Sequence, residues 1–108
     1  MNLKIVNLPT FEKKVKKLFK KYRQLPKDLR KLQEILLNNP KAGIHIVRNC
    51  YKIRLENSSI PVGKSGGFRV IYYYIQDDKL YLMTIYSKSD LESISEKEII
   101  EILDKFGL

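Results

Sequence analysis

Phe68-Arg69-Val70-Ile71-Tyr72-Tyr73-Tyr74-Ile75 and Leu80-Tyr81-Leu82-Met83-Thr84-Ile85-Tyr86, separated by Gln76-Asp77-Asp78, decide the fold of this 108-residue chain. Both runs are rich in β-branched and aromatic side chains and are joined by turn formers, the pattern of an antiparallel hairpin. Both carry apolar residues at odd and even positions, so both are expected at the centre of a sheet with each face covered. Parity alone does not assign every one of these side chains to a face. Upstream, Tyr51-Lys52-Ile53-Arg54-Leu55 alternates strictly. It reads as a half-buried strand with Tyr51, Ile53 and Leu55 on one face and Lys52 and Arg54 on a basic outer face. Residues 57–67, which hold Pro61 and three glycines, form a loop longer than a tight hairpin needs.

Working outward to the N-terminus, Leu3-Lys4-Ile5-Val6-Asn7 alternates and is read as a short strand ended by Pro9. Phe11, Val15, Leu18, Phe19 and Tyr22 then fall on one helical face, with Thr10 the expected N-cap. A second helix places Pro26 in its first turn, repeats Leu29, Leu32, Ile35 and Leu36 at helical spacing, and stops at Asn38-Asn39-Pro40. A short extended piece is open at residues 44–47. At the other end, Ser95-Glu96-Lys97-Glu98 is a capping box for a helix with Ile99, Ile102, Leu103 and Phe106 inward and Gly107 closing it. The expected architecture is a single α+β domain over residues 1–108. In it, an N-terminal strand and helical hairpin pack on an antiparallel β-sheet with a C-terminal helix.

Composition narrows the function classes. No window approaches the roughly 20 apolar residues of a membrane span, and Met1-Asn2-Leu3-Lys4 opens no signal segment, so a cytoplasmic protein is expected. One cysteine, Cys50, and one histidine, His45, supply neither an internal disulfide nor a four-ligand zinc site, and no metal or cofactor is expected. Cys50 reads as a small buried hydrophobe. The net charge of +9 is lopsided: residues 1–54 hold 15 basic and 3 acidic side chains, against 6 and 9 in the remainder. An anionic partner follows. The polar face of the first helix carries Lys13, Lys14, Lys16, Lys17, Lys20 and Lys21. It reads as a solvated face, a nucleic-acid patch or a membrane-surface helix, and charge density alone does not decide among the three.

Gly63-Lys64-Ser65 lacks the upstream glycine and the following helix of a phosphate-binding loop. Nor do the serines, Cys50 and His45 make a nucleophile triad. What remains is a concentration of cations and phenols on the sheet: Lys52 and Arg54 on one strand, Lys64 in the loop, Arg69 on the next strand, and Tyr86 and Lys88 at the end of the last. Such groups can hold a phosphodiester, stabilise the extra charge of a pentavalent transition state and move protons. Arg69, charged within an apolar strand, must find a partner or a ligand.

Three stretches carry a resemblance: Tyr51-Lys52-Ile53-Arg54-Leu55, Gly63-Lys64-Ser65-Gly66-Gly67-Phe68-Arg69-Val70-Ile71, and Leu82-Met83-Thr84-Ile85-Tyr86-Ser87-Lys88 before a Ser-capped helix. Over nearly the whole chain the sequence resembles the RelE/ParE superfamily of toxins from type II toxin–antitoxin systems, in its RelE- and HigB-like branch. The resemblance implies a microbial-ribonuclease-like fold and an mRNA interferase: an endoribonuclease that inhibits translation by cutting mRNA in the ribosomal A site. An RNA 2′-hydroxyl would attack the adjacent phosphate, leaving a 2′,3′-cyclic phosphate and a 5′-hydroxyl. Carried over by position, Lys52 and Arg54 match the family's basic pair, Arg69 its phosphate-binding arginine, and Lys88 a basic residue beside the last strand; Lys64 and Tyr86 follow the branch pattern. Ser89 stands where relatives have a second catalytic arginine, and Ser95 lies near where they have a catalytic tyrosine. The implied partners are a cognate antitoxin protein, the ribosome and mRNA, with no membrane. Lys13, Lys16, Lys17 and Lys20 are expected to contact RNA. The antitoxin is expected either to cover the basic sheet or to hold the terminal helix away from it. Two alternatives share the fold: a ParE-like inhibitor of DNA gyrase, and a decayed toxin that only binds RNA.

Overall fold

In the computed structural model, which describes residues 3–61, 66–75, 78–91 and 93–108, the hairpin is the middle of a five-stranded sheet. The elements are β1 (Lys4–Asn7), α1 (Pro9–Phe19), α2 (Leu25–Asn38), β2 (Ile44–Val47), β3 (Cys50–Leu55), β4 (Phe68–Tyr74), β5 (Lys79–Ser87) and α3 (Glu96–Lys105). Strand order is β1-β5-β4-β3-β2. The four strands from β2 to β5 are antiparallel, and β1 joins the far edge parallel to β5. The α+β architecture is the one expected, with two additions: the extended piece at 44–47 is a full edge strand, and β1 makes the sheet mixed. The tip expected at Gln76 and Asp77 lies outside the described residues, as does Lys64.

β4 and β5 are covered on both faces, as their composition requires. On one face Phe68, Val70, Tyr72, Leu80, Leu82 and Ile85 pack with Phe11, Leu25, Leu32 and Leu36 of the two helices. On the other, Cys50, Ile71 and Met83 pack with Ile99 and Leu103 of α3. A β-bulge separates the two sets, because Ile71 pairs with Thr84 while Tyr72 pairs with Leu82, leaving Met83 as the extra residue. Strict alternation along β5 is thereby broken. Leu80, Leu82 and Ile85 share the helical-hairpin face, while Met83 lies in the α3 cluster.

Helix α1 begins two residues earlier than expected. Leu8 is the N-cap, without a side-chain hydrogen bond, and Pro9 takes the first helical position, where its missing N–H costs nothing. Thr10 is therefore not the cap. Its hydroxyl donates to the Met83 carbonyl at 2.6 Å, and the Leu8 N–H donates to the Leu82 carbonyl at 3.0 Å. The bulge thus carries the contacts that fasten α1 to β5. Tyr22 lies past the end of α1, yet its ring is buried edge-on against Phe68 at 5.5 Å. At α3 Ser95 is the N-cap, its Oγ accepting from the Glu98 N–H at 3.2 Å, and the Glu98 carboxylate returns to the Ser95 hydroxyl at 3.3 Å. Its C-terminus is a Schellman motif. Gly107 adopts φ +70°, and the Leu108 and Gly107 N–H groups donate to Leu103 and Asp104.

Two features set the ends of the strands. Gly67 lies against the Leu55 carbonyl so closely that a Cβ would overlap it, and its own carbonyl accepts from the Lys88 N–H at 2.9 Å. Cys50 is fully buried beneath α3, where desolvation pushes its thiol up to about 11. Among the described residues no helix is long and apolar enough to cross a membrane.

Two outcomes follow. Gly67→Ala should destabilise the fold by roughly 1–3 kcal/mol, the scale of overpacking against fixed backbone, read from the urea midpoint; an unchanged midpoint would show that this approach can relax. Cys50 should react with a thiol reagent far more slowly in the native protein than in urea. Fast native labelling would mean that α3 opens readily.

Candidate functional site

The face of the sheet that α3 partly covers carries the expected cations, and strand register brings them together. Arg54 pairs with Arg69, and Arg69 with Tyr86, so three side chains from β3, β4 and β5 form one row. The adjacent row is Lys52, Ile71 and Thr84. The next is Cys50, Tyr73 and Tyr81, which meets the packing under α3. Polarity therefore changes along the strands. The end near α3 is apolar and closed, and the end near the β3–β4 loop is cationic.

The cationic row runs from surface to interior. Arg54 is exposed and Lys52 half-buried, whereas Arg69 is 6% exposed and Tyr86 7%. One Arg69 nitrogen, Nη1, donates to the Phe68 carbonyl at 3.2 Å. Burial lowers the Arg69 pKa, and the neighbouring Arg54 charge lowers it further, with Tyr86 opposing both. The guanidinium stays protonated across the working pH range. The row thus places a buried, fixed positive charge next to the exposed Arg54. For Tyr86, burial raises the phenol pKa and Arg69 pulls it down. The phenol is neutral near pH 7, and its oxygen is buried with no hydrogen-bond partner among the described residues.

Lys88 follows the end of β5 directly, half-buried, with its N–H held by Gly67. Lys13 and Lys17 of α1 line a groove that also includes Thr84 and Tyr86, so they belong to the neighbourhood of the row. Lys16 lies on the opposite side of α1, in a cleft with Val15 and Leu29, and Lys20 is exposed at the helix end. The expected RNA-binding lysines are therefore split between two faces. Ser95 is engaged as the α3 cap, and the Ser89 N–H donates to Ser87 Oγ at 3.3 Å. Among the described residues no three His, Cys, Asp or Glu side chains converge to hold a metal ion.

Three polar residues of consequence escaped the sequence reading. Thr84 is buried beside the row; its signal was a small hydroxyl side chain between Met83 and Ile85. Asp28 is buried on α2 and accepts from the Ser58 N–H at 3.0 Å. Asn57 is fully buried and accepts from the Ser59 N–H at 3.0 Å, while its Nδ2 has no partner among the described residues. Asp28 and Asn57 anchor the start of the loop that leads towards Lys64, and no local pattern marks either.

Three helices on a five-stranded sheet, with a basic row at one end of the sheet, define a RelE-like α+β fold. No family model matches the chain. Among solved structures it is similar to a mutant of the E. coli toxin RelE, in which two arginines are replaced by alanine, in the free state. Identity is 22% over 85% of this chain and 90% of that one, with a TM-score of 0.56.

Because the Tyr86 hydroxyl is buried and unpaired, Tyr86→Phe should leave the unfolding midpoint unchanged or raise it, by up to about 1–3 kcal/mol. A clear loss of stability would show that the hydroxyl has a partner in solution.

Proposed function

We propose that this chain is the toxin of a toxin–antitoxin pair and a cytoplasmic endoribonuclease acting on ribosome-bound mRNA. The observation that carries the reading is the row Arg54–Arg69–Tyr86 beside Lys52, with Arg69 held as a buried guanidinium. A phosphodiester is the anion best matched to two adjacent guanidinium groups, because planar donors engage its non-bridging oxygens in pairs. The likeness to a RelE toxin supports the same reading.

In this mechanism Arg54 and Arg69 grip the scissile phosphate. As the neighbouring 2′-hydroxyl attacks phosphorus, the extra negative charge of the pentavalent state develops between fixed cations in a partly dry site, where their stabilisation is greatest. The bond from phosphorus to the 5′-oxygen breaks, giving a 2′,3′-cyclic phosphate and a 5′-hydroxyl. Lys52 and Lys88 serve the protons of the attacking and leaving oxygens. Tyr86, neutral and next to Arg69, orients the guanidinium and the phosphate it holds. Lys64 reaches the RNA from the loop. Lys13 and Lys17 extend the positive field beside the row, and Lys16 and Lys20 extend it on the other side of α1.

A ParE-like gyrase inhibitor would not need a phosphate-gripping row, which favours the nuclease. The test is a translating extract with the purified protein. Messenger RNA should be cut within codons to 5′-hydroxyl ends, and Arg69→Ala should lower the rate by roughly 10²-fold or more with native circular dichroism retained. Intact mRNA together with gyrase trapped on supercoiled DNA would transfer the case to the ParE-like reading. Intact mRNA with ribosome binding retained would leave a toxin that only binds RNA.

A further inference from the structure

Strand β2 covers part of the β3 edge and leaves the rest open. Its register ends at Ile44 opposite Lys52, so Arg54 has no partner in β2. Two close approaches fix the direction of the main chain. The Lys52 carbonyl lies against Gly43, on the β2 side, and the Leu55 carbonyl lies against Gly67, on the β4 side. Successive residues of a strand point their backbone groups to alternate sides, so Arg54 turns its N–H and C=O to the β2 side, past the end of β2. Among the described residues neither group has a backbone partner there. The chain ahead of β2 is held beside this opening: the buried Tyr72 hydroxyl accepts from the Gly43 N–H at 3.0 Å, and the Ala42 N–H donates to the Asn39 carbonyl at 3.0 Å. What opens there is a recess of about 500 Å³ lined by Ile35 of α2, Ala42, Ile44 and Ile53 together with Lys52 and Arg54. Ile44 is 68% exposed. Glu56, the next acid along the chain, is paired with Lys31 at 4.0 Å.

We infer that this recess is a base-reading subsite: it takes one unstacked nucleobase of the RNA strand whose phosphate lies on the Arg54–Arg69–Tyr86 row, and the Arg54 N–H and C=O meet the edge of that base. The inference rests on the RNA reading proposed above and adds to it the part of the chain that reads sequence. Continuity with the row is the first argument. Lys52 and Arg54 line the recess and also belong to the cationic rows, so a phosphate and a neighbouring base of one strand are served by the same two residues. The second is chemical. In an extended residue the N–H and C=O lie side by side, which matches the adjacent acceptor and donor on the Watson–Crick edge of a single-stranded base. Adenine and cytosine present an exocyclic donor beside a ring acceptor, guanine and uracil an exocyclic acceptor beside a ring donor, and the fixed strand direction distinguishes the two orders. Ile35, Ile44 and Ile53 supply apolar surface on which a flat ring packs. A partner strand is a poorer occupant, because pairing with a sheet edge takes several consecutive hydrogen-bonding residues and β2 already occupies those of β3 up to Lys52.

The probes are two fluorescein-labelled hexanucleotides, all-cytidine and all-uridine, with 2′-O-methyl groups that prevent cleavage. They are equal in charge and in ring size and differ in donor and acceptor order. In fluorescence anisotropy the protein should prefer one over the other by at least about fivefold, the lower end for a bidentate base contact. Ala42→Phe fills the recess without touching the row, and it should bring the two affinities within about twofold by weakening the preferred probe. The milder Ile44→Ser should fall between, with native circular dichroism required of both variants. In the translating extract, cut sites should favour one donor and acceptor order at a base next to the scissile phosphate, and Ala42→Phe should flatten that preference while total cleavage stays within about threefold. Equal binding of the two probes, or a preference unchanged in Ala42→Phe, would overturn the inference. So would a dimer in sedimentation that Ala42→Phe dissolves, which would give the edge to a second copy of the chain. Intact mRNA in the extract, with a probe preference that Ala42→Phe abolishes, would remove the nuclease reading and still support the base subsite.

Discussion

One extra residue in the central hairpin, Met83, organises the rest of the molecule. A strand buried on both faces must commit each side chain to one of two cores, and the bulge lets β5 do so without leaving a gap on either side. Met83 drops into the α3 core beside Cys50, their sulfurs 3.7 Å apart. At the bulge the Met83 carbonyl accepts from the Thr10 hydroxyl, and the Leu82 carbonyl accepts from the Leu8 N–H where the β1 pairing ends. The start of α1 is therefore fastened to the place where β5 changes phase. With the register past the bulge set, Tyr86 falls in line with Arg69 and Arg54, and Thr84 with Lys52.

The site follows from how unevenly α3 covers its face. Where the helix packs, the strands present Cys50, Ile71 and Met83; beyond it they present cations. Burying a guanidinium as deeply as Arg69 is unfavourable unless something compensates. The Phe68 carbonyl supplies part of that compensation, but a second guanidinium in the adjacent register position adds repulsion. An anion bound across the row would offset that repulsion.

Around the row, small contacts hold the chain ends in position. Tyr22 meets Ser87 Oγ at 3.3 Å, Lys21 sits over the Tyr22 ring at 5.3 Å and pairs with Asp90, and Gly67 holds Lys88 through its carbonyl. The exposed ion pair adds little stability. Its consequence is geometric, because it ties the segment after β5 to the end of α1. The basic surface is thus divided. Lys13, Lys14 and Lys17 line the groove beside the row, while Lys16 lines the cleft with Val15 and Leu29.

The strands and helices were legible because their signals are local. A period of 2 at residues 51–55, a period near 3.6 in both hairpin helices, the capping box at Ser95 and the glycine at 107 each depend on a few neighbouring residues. The cations Lys52, Arg54 and Arg69 were legible for the same reason, as charges in strands whose other members are apolar. Thr10 was misread because Pro9 and Thr10 both start helices well, and only the bond to Met83 shows which role the threonine takes. The bulge, the parallel pairing of β1, the depth of Arg69, the anchors Asp28 and Asn57, and the division of the α1 lysines had no local signal. By itself the sequence determined which elements form, that the middle strands are buried on both faces, and that the N-terminal half is strongly basic. Only the tertiary structure decided which side chains share a face past Met83 and which lysines stand beside Tyr86. Those outcomes depend on cross-strand register and helix docking, which arise from contacts between residues far apart in the chain.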